Sequence, residues 1–237
     1  MSNKDSLLNI KKLREMTGVG FKDCKKALDE TKGDLEKSIE FLRKNGIAKA
    51  SKKMSRTASE GLALVKEEDG KISLIEINSE TDFVAKNQDF INFCKELSEV
   101  NFKTKGDLNK LNETKLANGI LVKDNLVNLI AKIGEKITIR RATYFDNSDG
   151  INFSYVHSAL EKGIGKIISI VKLDGLNKNQ NNGIGAKIAM HIAASNPLAI
   201  EKDKIDKKIV DKELEIIKAE ITNSGKPVEM AEKISKG

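Results

Sequence analysis

Residues 61–87 read GLALVKEEDGKISLIEINSETDFVAKN, and this stretch decides the fold. Gly61-Leu62-Ala63-Leu64-Val65 and Ile72-Ser73-Leu74-Ile75-Glu76-Ile77 are two β-rich runs separated by Glu68-Asp69-Gly70, a turn signal, so they form a hairpin. The second strand then dissolves into Ser79-Glu80-Thr81-Asp82, and one aromatic ring, Phe83, follows in polar company. Two readings of that ring stand side by side: it caps its own core at the strand end, or it enters another surface.

Downstream, Phe90, Phe93, Cys94 and Leu97 recur at helical spacing, as do Leu126, Leu129, Ile130 and Ile133 after a polar connection. Ile137 to Phe145 alternates as a strand. Helices on an antiparallel sheet make an α+β fold. A second half of the same style follows: Phe153 to His157 and Lys166 to Leu173 read as paired strands around Gly163 and Gly165, and Gly185 to Ser195 as a helix stopped before Pro197. Residues 206–222 and 227–236 are expected to form a helical hairpin, whose Ile209, Leu214, Ile216, Ile217 and Ile221 want a partner.

Upstream, residues 6–45 predict three short helices. Leu7, Ile10, Leu13 and Met16 mark the first; Cys24, Ala27 and Leu28 mark the second, closed by Gly33; Asp34 caps the third, which carries Leu35, Ile39 and Leu42 and ends at Asn45-Gly46. About forty residues make a marginal core. Such a bundle with a glycine loop between its first two helices resembles a ubiquitin-associated module, whose usual task is protein docking. The domains are therefore placed at 1–46 for the three-helix module, 47–59 for a basic linker or solvated connecting helix carrying Lys49, Lys52, Lys53 and Arg56, 60–148 and 149–200 for two α+β subdomains, and 201–237 for the helical hairpin.

Composition narrows the function. The chain has 237 residues, 39% of them hydrophobic, an ordinary content for a globular protein. Its net charge of +7 invites nucleic acid, but 35 acidic residues are interspersed among 42 basic ones, and aromatics are only 4%. That is the pattern of a solvated surface with few rings for base stacking. No run of 18 apolar residues occurs, and Met1 to Asp5 lacks the apolar centre of a secretory signal, so the expectation is a cytoplasmic protein with no membrane partner. Cys24 and Cys94 stand far apart and are expected to be buried, reduced thiols.

Catalytic apparatus is missing from the sequence. His157 and His191 are the two histidines, 34 positions apart, without H-E-x-x-H or C-x-x-C around them. The Gly163/Gly165 and Gly183/Gly185 pairs lack the third glycine of a dinucleotide fingerprint and read as turns. Glu80 and Asp82 have no nucleophile in view. The chain reads as a binder, without catalytic residue, metal or cofactor.

Four blocks then carry a resemblance. Leu13-Arg14-Glu15-Met16-Thr17-Gly18-Val19-Gly20-Phe21-Lys22-Asp23-Cys24-Lys25-Lys26-Ala27-Leu28, Thr81-Asp82-Phe83-Val84-Ala85-Lys86-Asn87, Lys132-Ile133-Gly134-Glu135 with Ile139-Arg140-Arg141, and Ile188 to Pro197 resemble, in order, the signatures of bacterial elongation factor Ts. The resemblance implies a guanine-nucleotide exchange factor that binds elongation factor Tu carrying GDP, with no bond chemistry and no nucleotide or DNA bound by this chain itself. It implies that Arg14, Phe21 and His157 touch the partner. It also implies that Thr81, Asp82, Phe83 and Val84 disturb the partner's magnesium site, with the Phe83 ring inserted between partner helices. Lys22 stands where the family often has methionine, which alters that contact. The family continues past the position of Lys233 to Gly237, so the resemblance implies that 149–200 and 201–237 are incomplete as given, and that the hairpin can form a homodimer. A nucleic-acid or scaffold adaptor remains the alternative reading, distinguished by salt-sensitive RNA binding.

Overall fold

The computed structural model describes residues 3–17, 19–175 and 183–224. The chain divides into two units, residues 1–193 and 194–237.

The first unit begins with α1 (Asn3–Thr17), α2 (Phe21–Glu30) and α3 (Leu35–Ser51). Ile10, Leu13, Cys24, Ala27, Leu28 and Leu42 close a small core among them. Leu7 and Met16, expected on the same stripe, are exposed, so the inward face of α1 is narrower than its periodicity suggests. Gly33 takes a φ of +85° and its N–H donates to the Leu28 carbonyl, which ends the turn after α2; Asp34 then caps α3 by accepting from the Lys37 N–H at 3.0 Å.

One expected boundary is wrong. The third helix does not stop at Asn45-Gly46 but runs on to Ser51, taking in the first residues of the supposed linker. Gly46 reads as a stop signal in isolation, yet here it serves close packing. A Cβ at this position would stand 3.4 Å from Val127 Cγ1 on α7 (Val122–Ile133), so tertiary contact overrides local propensity.

The hairpin forms as read: β1 (Glu60–Glu68) pairs antiparallel with β2 (Lys71–Ser79), from Glu60 opposite Ser79 to Glu68 opposite Lys71. Asp69 and Gly70 both have positive φ, the geometry that a two-residue primed turn demands. A helical turn, α4 (Asp82–Ala85), leads into α5 (Gln88–Thr104); α6 (Leu108–Asn112) and α7 follow, and β3 (Ile137–Phe145) returns antiparallel to β2. A β-bulge interrupts that last pairing, so that Arg140 and Arg141 both oppose Glu76. Leu62, Leu64, Ile75, Ile77 and Ile137 from the sheet meet Phe90, Phe93, Cys94, Leu97, Leu129 and Ile130 from the helices in one buried cluster.

After β4 (Ile151–His157), the two-residue strand β5 (Ile164–Gly165) joins the first sheet beside β1, giving the order β3-β2-β1-β5. The sequence gives no sign of this pairing. β6 (Ile167–Leu173) pairs with β4 in a separate two-stranded sheet, and α8 (Ile184–Ser195) packs on it, Ser169 Oγ donating to the Ala189 carbonyl at 2.5 Å. Of the paired glycines, Gly163, Gly165 and Gly185 are close-approach positions, a Cβ on Gly163 meeting the Val65 carbonyl oxygen at 2.7 Å and one on Gly185 entering the Phe153 ring, whereas Gly183 has a φ of +72° and open space where a Cβ would stand. The whole is an α+β fold.

In the second unit, α9 (Lys207–Asn223) is capped by Asp206, which accepts from the Lys208 N–H at 2.9 Å. Ile221 is buried, whereas Ile209 and Ile216 are exposed. The second helix expected at 227–236 lies outside the described residues. Among the described residues, no helix is long and apolar enough to cross a membrane.

Candidate functional site

β2 ends at Ser79, whose hydroxyl donates to the Thr81 carbonyl at 3.0 Å and bends the chain out of the sheet. α4 then makes a single turn, and Asn87 caps α5 by accepting from the N–H groups of Asp89 and Phe90. The turn has one inward and one outward side. Val84 and Ala85 point into the core, 4% and 3% exposed, while the Phe83 ring between two strand-and-helix elements is 76% exposed. Phe83 therefore does not cap its own core.

Beside it, the Asp82 carboxylate pairs with Lys86 Nζ at 3.1 Å, one turn on. That hydrogen bond and charge, with a further contribution from Lys166, hold the Asp82 carboxyl below the usual carboxylate range. Asp82 is thus ionised at neutral pH and stands next to the ring.

The base of the turn is held from across the molecule. Glu135 accepts from both the Thr81 N–H (3.0 Å) and the Thr81 hydroxyl (2.8 Å). Reciprocally, Glu80 accepts from the Lys136 N–H and pairs with Arg56 at 3.2 Å. The Lys136 backbone bond, with the Arg56 guanidinium, overcomes desolvation and keeps the Glu80 carboxyl below its ordinary range. Lys136 Nζ in turn donates to the carbonyls of Met54 and Arg56, and Lys53 Nζ to that of Gly134. Residues 53–56 thereby strap the turn at 134–136, which gives the basic segment after α3 definite partners.

The other sequence-derived candidates lie around this edge. Arg14, exposed near the end of α1, lines a groove with Val19, Gly20, Ala131 and Lys132, the last two at the end of α7 that leads into Gly134-Glu135-Lys136. Phe21 opens α2 with an exposed ring, and Lys22 beside it is exposed. His157 is exposed at the end of β4, its Nδ1 3.2 Å from Tyr155 Oη. A Cβ on Gly165 would stand 3.0 Å from the His157 carbonyl oxygen; Lys166, the next residue, bonds to Glu60 at 2.8 Å and acts on Asp82. Short links thus run from the Phe83 turn to the Arg14 groove on one side and to His157 on the other. Val84 belongs to the core and Thr81 is engaged internally, so Phe83 and Asp82 are the outward groups of the motif.

Sequence reasoning missed Glu80, Glu135, Lys136 and Arg56 as parts of the site. Glu135 lies 54 residues from Thr81, and no local pattern joins them. Cys24 and Cys94 are free and buried, and burial pushes both thiols up, so neither is a poised nucleophile. Among the described residues, no group of three His, Cys, Asp or Glu side chains could hold a metal ion.

The family profile described as Elongation factor TS matches residues 80–237. The chain belongs to the elongation factor Ts family. It is 43% identical over 230 residues to elongation factor Ts of Allorhizobium ampelinum and to that of Sinorhizobium fredii, each match covering 96% of this chain and 75% of the relative. With elongation factor Ts of Maricaulis maris it shares 41% identity over 233 residues, covering 96% of this chain and 74% of the relative. Membership of the elongation factor Ts family makes the chain a translation elongation factor.

Proposed function

We propose that this chain accelerates release of GDP from elongation factor Tu, using Phe83 as a wedge and Asp82 as an ionised neighbour at the partner's magnesium and phosphate site. The observation that carries this reading is the Phe83 ring, 76% exposed on a turn whose flanking residues are fixed in the core and clamped at the base. Leaving such a ring in water forgoes about 1.5 to 3 kcal/mol of burial, which a partner surface recovers.

Arg14 and Phe21 dock on the partner's nucleotide-binding domain through the three-helix module, which we read as ubiquitin-associated-like. His157 meets the phosphate-binding side from the second subdomain. Residues 60–148 and 149–200 are the two subdomains in this reading, residues 201–237 supply a self-association surface through α9, and the site of action is the cytoplasm, where translation proceeds. No bond is made or broken in the exchange.

Energetics sets the shares. A binder speeds nucleotide release only if it prefers the partner's nucleotide-free state, and linkage makes the antagonism mutual, so GDP must weaken this protein's hold on its partner equally. A thousandfold acceleration requires about 4 kcal/mol of barrier reduction. One phenylalanine supplies less than that. Asp82, His157 and loss of the magnesium's hold on the phosphates must supply the remainder.

The test is release of a fluorescent GDP analogue from elongation factor Tu, followed with and without this protein. Acceleration that saturates with concentration is expected. No acceleration at saturating protein, together with salt-sensitive RNA binding, would replace the reading with that of a nucleic-acid adaptor.

A further inference from the structure

The clamp beneath the Phe83 turn has a functional consequence of its own. Val84 and Ala85 hold the turn down in the core, and the direction of the ring also depends on how the chain enters the turn. Thr81, two residues before Phe83, is where that direction is set, since its φ and ψ (−126° and 159°) orient the first residue of α4. Both polar hydrogens of Thr81 go to the two oxygens of one carboxylate, that of Glu135, at 3.0 and 2.8 Å. A two-point bond of this kind fixes rotation as well as position. Thr81 makes no side-chain capping bond to α4, and its hydroxyl goes to Glu135 instead.

We propose that Glu135 is the positioning residue of the Phe83 wedge, and that the strap at residues 53–56 ties this wedge to the three-helix module. Glu80 accepts from the Lys136 N–H immediately after Glu135, so the turns at 80–82 and 134–136 lock each other. Arg56, bonded to Glu80, and Lys53 and Lys136, bonded across the strap, connect that lock to the end of α3. The ring and the docking surface of α1 and α2 are then presented to a partner in one fixed relation. Preorganisation of this kind lowers the ordering cost of association without adding a contact. Glu135 acts through Thr81, and Phe83 meets the partner.

The inference rests on the exchange reading for its functional part, and two readouts separate the two. Glu135→Ala and Glu135→Gln are compared with the parent by amide hydrogen exchange and by GDP release from elongation factor Tu over a range of factor concentrations. In Glu135→Ala the amides of Thr81, which donates to Glu135, and of Lys136, the other backbone donor of the lock, are expected to exchange about tenfold faster or more, while α5 and the melting temperature hold, as local opening requires. GDP release is expected to slow about tenfold at fixed factor concentration, mainly through a higher half-saturating concentration. Glu135→Gln retains one carbonyl acceptor and should fall between the two. Thr81→Val removes the hydroxyl bond alone, and its effect should not add to that of Glu135→Ala.

If the parent accelerates release and Glu135→Ala does so equally well, the positioning role is overturned. If the parent fails to accelerate release, the exchange reading falls, and the clamp is judged by amide exchange alone: selective loosening at Thr81 and Lys136 supports it, and unchanged protection overturns it. A global loss of protection in Glu135→Ala, with Glu135→Gln at parental values in both assays, would also overturn it, since Glu135 would then be a general stability element.

Discussion

The two α+β halves of the first unit bury their apolar residues very differently. In the first half, β1 to β3 lie against α5 and α7, and Phe90, Cys94, Leu97, Ile75 and Ile77 are almost wholly enclosed. In the second half every residue of β4 except His157 is half-buried, and Leu160, Ile167, Ile184 and Met190 are exposed. An exposed apolar side chain therefore means different things in the two places. Around α8 it belongs to a loosely covered sheet and has little diagnostic value. At Phe83 it stands out from a closed core whose immediate neighbours, Val84 and Ala85, are buried. This contrast, more than exposure alone, singles out the ring as a contact residue.

The contrast can be broken or sharpened by substitution. The largest effect on stability is expected for Phe90→Ala in the closed half, about 3 to 5 kcal/mol from lost burial and the cavity left behind. Urea unfolding checks it. A cost under about 1 kcal/mol would mean that the first half is as loosely packed as the second.

Gly165→Ala probes the seam between the halves. The added Cβ would stand 2.7 Å from Val156 Cγ1 and 3.0 Å from the His157 carbonyl oxygen, so β4 must shift. A loss of about 1 to 3 kcal/mol by urea unfolding is expected, with slower GDP release because His157 moves. Unchanged release would separate His157 from the exchange site.

The smallest effect concerns pH. The Glu80 carboxyl is held below its ordinary range in the folded chain, so its stabilising contribution is full above the unfolded value near 4.3 and is lost as pH falls through the lower folded value. Protection of the Lys136 amide, which Glu80 accepts, should hold steady from neutral pH into the acid range and drop only below about pH 4. Glu80→Gln should flatten that profile. A drop already complete at about pH 5 would contradict the assigned direction of the shift.

The α+β character, the hairpin with its Asp69-Gly70 turn, the Asp34 cap and the core stripes of α2, α5 and α7 were all legible because each is a local pattern: alternation, helical spacing, a turn pair or a capping residue. Gly46 misled for the same reason, since its use is a contact with α7 some eighty residues away. The β5 pairing and the Glu135 clamp were illegible on the same ground. Two residues are too few to show a period, and a carboxylate that serves a threonine 54 positions earlier leaves no local trace. At the candidate site, the residues that face outward could be named from the sequence, whereas those that aim them could not. Even Thr81 and Val84, named with Phe83 as one block, divide in the structure into a clamped residue and a core residue.

The central claim is that Phe83 is exposed in order to act on a partner, and Phe83→Ala tests it most directly when the melting temperature and GDP release from elongation factor Tu are measured on the same preparation. Because the ring is largely in water, the melting temperature should stay within the range of a surface substitution. GDP release should slow about ten- to hundredfold, the equivalent of the burial that the ring would gain on a partner. A folded Phe83→Ala protein that releases GDP as fast as the parent would contradict the account.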